Sequence, residues 1–394
     1  MGKRAFRILT MLCLTIGILF TLATPAGAAD LTPDYHISGS PGAYSVGISA
    51  GEIGTGYATF INALSACSSD WGGRSDTPVI RLGSAESPLS VKRGDGKLIS
   101  ATYTGAVNIE HTSSTYGLWI GDGTTVKLRD FTVTNSLEGI GGVYYAIYVY
   151  TNGTLDMGSG TNIIVKDGGA YDANPDALYN DGTVTINGDV LLSIENKGRV
   201  INNLGTCTIG GNAEDNIVIS TSPSSGTGIL NFTGGILTIG MGTTVDSNTG
   251  LANYSTATIS GGKIVSPMDT VTNSSYGTLN LSGGTVECTG SYTALVNKNV
   301  LIMTGGTVVN TGASGTRRAL ENRGTATVSG GTITSGGGDV VYTLYRLTLE
   351  GSCSISARNG RAVYSDTNTL PGSEIIIRGN ASVTGHTVGV RASA

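Results

Sequence analysis

Three groups of residues in this sequence have the types and spacing to do chemistry, and all lie between residues 116 and 190. The first is basic. In Thr125-Val-Lys-Leu-Arg-Asp130 the alternation turns Val126 and Leu128 inward and Lys127 and Arg129 outward, and alignment with the next segment sets Asp156 beside Lys127. Two cations and a carboxylate so placed could take a proton alpha to a substrate carboxylate. The plainer alternative is an exposed ion pair, worth less than about 1 kcal/mol. The second group is Asp172-Ala-Asn-Pro-Asp176, where Asp172, Asn174 and Asp176 offer oxygens at alternate positions, as a Ca²⁺ site would. An EF-hand-like loop would continue with Gly at its sixth place and Glu at its twelfth, where this chain has Ala177 and Thr183. The alternative there is an Asx/Pro turn joining two strands. The third group is aromatic. Tyr148, Tyr150 and Tyr179 fall at outward positions beside a segment carrying Asp167, Asp172 and Asp176. Tyrosines on a sheet face can stack on sugar rings while nearby carboxylates accept sugar hydroxyls. Alternatively the segment 166–175 folds over the rings and buries them.

The elements that hold these groups follow from composition and repetition. The chain has 394 residues, 61 of them Gly and only 9 Pro, with 13% charged and 6% aromatic residues. Charge this sparse argues against a highly charged disordered chain. Glycine without a three-residue period excludes collagen, and glycine this frequent disfavours helices at about 1 kcal/mol per interior residue. An all-β protein with many tight turns remains.

Residues 1–28 read as a signal peptide: Lys3, Arg4 and Arg7, then an apolar stretch from Ile8 to Ala23, then Ala26-Gly27-Ala28. Losing those three cations takes the formal charge from −5 to −8. An acidic chain is a poor partner for nucleic acid, and no second apolar stretch predicts a membrane span after signal removal. The expected location is secreted or extracellular, with the cell surface as one place of residence.

From residue 176 onward the chain repeats one phrase. Thr183-Val-Thr-Ile-Asn-Gly188 recurs as Thr256-Ala-Thr-Ile-Ser-Gly-Gly262, Thr278-Leu-Asn-Leu-Ser-Gly-Gly284 and Thr325-Ala-Thr-Val-Ser-Gly-Gly331, among others. Glycines at 188, 211, 235, 262, 284, 306 and 331 mark a period of 22 to 27 residues. Each copy divides into three short alternating segments, as in Arg318–Asn322, Thr325–Ser329 and Thr332–Ser335. Three strands per coil in tandem predict a parallel β-helix whose equivalent strands lie about 4.8 Å apart. Ala257, Ile259, Leu279, Leu281, Leu301, Met303, Ala326 and Val328 should point inward, and Thr256, Thr258, Thr325 and Thr327 outward. Asn180, Asn203, Asn297 and Asn322 end their first segments, with Asn253 and Asn273 near that place. Left-handed turns bonded from coil to coil are the expected role.

The repeat resembles the pectin-lyase-like right-handed parallel β-helix superfamily, and in style the bacterial cell-surface and adhesin-like β-helices. The resemblance covers roughly residues 58 to 394. It includes Tyr57–Cys67, where Phe60, Leu64 and Cys67 share one face of a short helix, followed by Thr77-Pro-Val-Ile-Arg-Leu82. It implies an all-β, single-stranded β-solenoid with three short strands per coil and a short N-terminal capping helix. Residues 29–75 would form an N-terminal segment with that helix and residues 76–394 the β-helix. About thirteen coils would make a rod roughly 60 Å long. Cys207, Cys288 and Cys353 would stand too far apart along it to pair.

Enzymes of the superfamily act on acidic polysaccharides with carboxylates, often Ca²⁺, and a Lys or Arg. Polygalacturonase-like Asn-Thr-Asp, Asp-Asp, Gly-His-Gly and Arg-Ile-Lys sets do not occur in this sequence. The leading expectation is therefore a secreted, non-catalytic surface β-helix for adhesion or carbohydrate contact with a surface glycan. The alternative is a Ca²⁺-dependent, pectate-lyase-like enzyme using Lys127, Arg129 and Asp156. Outward Thr-x-Thr strands also resemble ice-binding surfaces, but Asn280, Val300 and Ile302 break the array and β-propensity explains the threonines. The last segment, His386–Ala394, reads as an uncapped strand, which points to end-to-end self-association.

Overall fold

The computed structural model describes residues 34–48, 51–72, 77–92, 94–110, 116–137, 144–167, 175–195, 197–222, 226–312, 318–366, 373–386 and 388–393. Residues 33–394 form one compact unit. It is an all-β parallel solenoid of about eleven turns with three strands per turn, and the one helix among the described residues is short and lies near the N-terminus.

The repeat phrase places its residues as the alternation requires. Every strand of the type Thr256–Ile259 or Thr325–Val328 turns its second and fourth residues into the core, where Ala257, Ile259, Leu279, Leu281, Ala326 and Val328 are fully buried. The first and third residues, mostly Thr, face out. Equivalent strands pair in parallel without register shifts, so Ala257 meets Leu279, Leu279 meets Leu301 and Leu301 meets Ala326. Each core position becomes a continuous aliphatic column, and burying such a side chain is worth about 1.5–3 kcal/mol.

Three faces result. The first is a separate 13-stranded parallel sheet running from Gly96–Leu98 to Val388–Ser393. The second carries the Thr-x-Thr strands, and the third carries strands such as Lys263–Ser266 and Thr332–Ser335. The second and third faces belong to one 27-stranded sheet, because Ala101–Glu110 and Thr125–Leu137 run unbroken through the corner between them. The glycine turns mark the other coils at that corner. Gly284, for example, has φ +74°, and an added Cβ would lie 2.4 Å from the Gly261 carbonyl oxygen of the preceding coil.

The asparagines hold the corner between the first and second faces. Asn180, Asn203, Asn231, Asn253, Asn273, Asn297 and Asn322 are fully buried, and each donates its amide to the next one's side-chain oxygen at 2.7–2.8 Å. The last, Asn322, donates to the Thr343 hydroxyl at 3.0 Å. The ladder is one member longer than the sequence suggests, since Asn231 sits 28 residues after Asn203 where other steps take 20 to 25. The expected left-handed backbone is absent: among the described non-glycine residues only Asp130 and Asn152 have positive φ. These asparagines end extended strands, and bonding alone selects them.

The N-terminal side differs more. The helix Phe60–Trp71 forms as expected, capped by the Thr59 hydroxyl, which accepts from the Asn62 amide, and it buries Phe60, Leu64, Cys67 and Trp71. Before it lies an antiparallel meander of Tyr35–Ser38, Tyr44–Ile48 and Gly51–Tyr57. Its first strand also pairs in parallel with Val79–Leu82 and so covers that edge. The solenoid has about eleven turns rather than thirteen, because its early coils are longer than the repeat period: Ile120, Val149 and Asn180 are register partners 29 and 31 residues apart. Cys67, Cys207, Cys288 and Cys353 are free and buried, and burial pushes the Cys67 and Cys207 thiols up to about 12.

Candidate functional site

The first face gathers aromatic side chains on three consecutive coils. Its strands Tyr116–Ile120, Tyr145–Val149 and Asp176–Asn180 pair so that Trp119, Tyr148 and Tyr179 form one outward column and Tyr116 and Tyr145 begin another, which ends on the buried Asp176. The strand sequence Tyr-Ala-Ile-Tyr-Val explains the placement. Ala146 and Ile147 are both buried where the strand bends, so two outward side chains stand three residues apart rather than two. Tyr150 follows at the corner.

Tyr148 and Tyr179 stack at 4.8 Å with ring planes 17° apart, and Tyr145 lies 4.6 Å from Tyr179. Tyr116 is 4.9 Å from Tyr148, and Tyr150 meets Tyr148 edge-on at 4.2 Å. All are half-buried. Because Tyr148 and Tyr179 cover one another's faces, this stack offers a ligand ring edges and phenol hydroxyls rather than the open ring faces expected from the sequence. Burial pushes the Tyr145 phenol up to about 12, with Asp176 and Tyr179 adding to it. Burial and a hydrogen bond with Tyr116 raise Tyr150 to about 12, and burial followed by Tyr179 and Asp181 raises Tyr148 further. The hydroxyls stay neutral donors and acceptors at ordinary pH.

Beside the stack a cleft of about 420 Å³ opens between Trp119 and Tyr150, whose rings stand edge to face at 5.5 Å. Its polar groups come from Lys97, Asp122, Thr124, Thr151 and Asn152. The Lys97 ammonium sits 5.0 Å over the Trp119 ring, and Thr151 donates to Asp181 at 2.8 Å. Asn152 turns with φ +61°, a conformation that asparagine tolerates. An apolar wall with a few convergent polar groups is the usual make-up of a small-ligand site.

Sequence reasoning found Tyr148, Tyr150 and Tyr179 and missed Tyr116, Trp119, Tyr145 and Lys97. A signal was present: Tyr116-Gly-Leu-Trp-Ile120 and Tyr145-Ala-Ile-Tyr-Val149 are one motif, 29 residues apart. Asp167 ends the strand Thr161–Asp167, paired with Leu137, and its side chain lies outside the described residues.

Of the calcium candidates, Asp172 and Asn174 lie outside the described residues. Asp176 is fully buried, with both carboxylate oxygens taken. Oδ1 accepts from Arg199 Nε at 2.6 Å, and Oδ2 accepts from Asn202 Nδ2 at 3.0 Å and Arg199 Nη2 at 3.3 Å. Burial pushes this carboxyl up to about 6 against the pull of Arg199 and Asn202. Among the described residues no three His, Cys, Asp or Glu side chains gather to hold a metal ion.

Lys127 and Asp156 are register partners, as the alignment places them. The ion pair, however, runs diagonally: Arg129 Nη2 meets Asp156 Oδ2 at 2.7 Å, while Nη1 donates to the Leu128 and Asp156 carbonyls. Lys127 is exposed on the second face, so this trio and the aromatic cluster occupy different faces.

Comparison with known proteins finds no matching family model, no matching curated protein and no matching solved structure. Function therefore has to be argued from the site alone. No helix among the described residues is long and apolar enough to cross a membrane.

Proposed function

We propose that this protein is a secreted, non-catalytic β-solenoid that contacts carbohydrate, in adhesion or attachment to a surface glycan. The observation that carries this reading is the cleft between Trp119 and Tyr150 beside the Tyr116–Tyr145–Tyr148–Tyr179 cluster. Sugars bind through an apolar ring face on one side and hydroxyls on the other, and the cleft pairs the Trp119 and Tyr150 rings with two threonines, an asparagine, Lys97 and Asp122. Six aromatic rings on adjacent coils exceed what packing of an exposed sheet face requires. Folding leaves them half in water, a cost that contact with a ligand would reduce.

The lyase alternative would draw its base from Lys127 or Arg129. Arg129 is committed to Asp156 and to two carbonyls, so this reading needs a substrate that displaces those bonds. End-to-end association would have to use the last coil of each copy, where core-facing Ile377 and Val390 are 43% and 41% exposed.

The test is retention on a panel of immobilised neutral and acidic polysaccharides, with and without Ca²⁺, for the protein and for Trp119→Ala and Tyr148→Ala. Retention of the parent on at least one glycan, weakened roughly tenfold or more in both variants, supports the proposal. Unsaturated products lost in Lys127→Ala or Arg129→Ala would replace it with the lyase reading.

A further inference from the structure

The second face has a character that carbohydrate contact on the first face does not explain. From Thr183–Ile186 to Thr325–Val328 it presents seven consecutive strands, hence fourteen outward positions, and none is charged. Charged side chains return only beyond both ends, at Lys127 and Asp156 and at Arg346 and Glu374. Most of the exposed large apolar side chains among the described residues gather on this face or its borders. Ile236 is 52% exposed and Ile302 41%, with Phe232, Tyr254 and Tyr276 along one border and Met241 on the other. The Met241 border is otherwise low, because the coils beyond it turn on Gly283-Gly284 and Gly305-Gly306. Strand propensity accounts for β-branched residues here, but not for the exposure of Ile236 and Ile302 or for the missing charge.

We infer that this face is a self-association surface whose partner is the same face of a second copy. Three features select that partner. A second copy has the same strand spacing of about 4.8 Å, so the side-chain rows of the two faces stay in step along the whole contact. The chain carries a formal charge of −5, yet the fourteen outward strand positions hold no charge to be desolvated or repelled, the nearest cations, Lys298 and Arg323, standing on the Phe232 border. The area also suffices: seven strands make roughly 30 Å, and four residues plus both borders roughly 20 Å, so about 1,200 Å² is buried in total, the lower bound for a specific interface.

The rows are self-complementary about one axis. The strands starting at Ile236, Thr256, Thr278 and Val300 are successive neighbours. A two-fold axis in the plane of contact, perpendicular to the solenoid and passing between Thr256–Ile259 and Thr278–Leu281, lays Ile236 of one copy on Val300 of the other. It also places Ile302 over Thr238 and Phe232 beside Lys298. Ile236 and Val300 thus fall opposite one another while Ile302 covers Thr238, and the interface is isologous and closed.

Sedimentation of the purified protein over micromolar concentrations tests this. A reversible dimer is expected, with Ile236→Lys and Ile302→Lys each weakening it roughly tenfold or more and Val309→Lys, on the third face, leaving it unchanged. The first two side chains are exposed, so thermal unfolding of the variants should match the parent. Independently, a mixture of Ile236→Cys and Val300→Cys chains should cross-link through a short bis-maleimide, the buried native thiols staying silent. A monomer at every concentration overturns the inference, as does a dimer indifferent to both lysines. A monomer that instead uses Ile236 and Ile302 to adhere to ice or to a crystalline polysaccharide would overturn it too and assign the face to that solid.

Discussion

Asn231 donates its side-chain amide to the side-chain oxygen of Asn253 at 2.8 Å, and both residues are fully buried. The same amide also reaches the Thr256 carbonyl at 2.9 Å, so one side chain ties its own coil to the next through side chain and backbone together. Since each coil contacts mainly its neighbours, such a bond is a coil-to-coil coupling term. Replacing Asn253 by Ala removes one acceptor of the Asn231 amide, which keeps the Thr256 and Gly235 carbonyls, and takes from the Asn273 oxygen the amide that donates to it. We expect Asn253→Ala to cost about 3 kcal/mol and Asn253→Asp, which buries a charge and sets it against the Asn273, Ser255 and Thr278 oxygens that the amide had served, to cost more. Urea unfolding measures both, and an Asp variant as stable as the parent would refute the ladder.

A second expectation concerns the turns. Gly284 has φ +74° and no room for a Cβ, whereas Gly42 has φ +92° and nothing within 4 Å of that position. Gly42→Ala should therefore cost only the left-handed strain, about 1 kcal/mol, and Gly284→Ala should cost about twice that or more. Comparing the two melting temperatures separates backbone strain from coil-to-coil contact.

Asp176 makes stability depend on pH in an unusual direction. Its folded carboxyl stands at about 6 and its ordinary value is 3.8, so between these the folded protein holds a proton that the unfolded chain releases. The associated stability is complete below about pH 4 and is lost as pH rises through 6, by roughly 3 kcal/mol. Asp176→Asn has no such proton. The stability of the parent minus that of the variant should therefore fall as pH is raised across this window. A difference that rises instead would mean that Arg199 outweighs burial.

Much of the solenoid was legible because its side-chain parity is written in period two. Thr256-Ala-Thr-Ile259 states which residues are inside, and the structure buries Ala257 and Ile259. Legibility fails where that period fails. Ala146 and Ile147 are buried in succession at a bend, which hid Tyr145 as a partner of Tyr148. Asn231 escaped because its coil is longer, and the Tyr35–Tyr57 meander because it has no copy elsewhere in the chain. The diagonal Arg129–Asp156 pair could not be read from register, which aligns Asp156 with Lys127; side-chain length decided it.

The central claim is that ligand sits against Trp119, and this residue can report on itself. The sequence contains two tryptophans, and the other, Trp71, is buried in the helix. In a Trp71→Phe background, titration with a glycan that retains the protein should shift Trp119 emission saturably, and Tyr150→Ala should weaken the titration roughly tenfold. An unchanged Trp119 spectrum while the protein remains bound to that glycan would contradict the account.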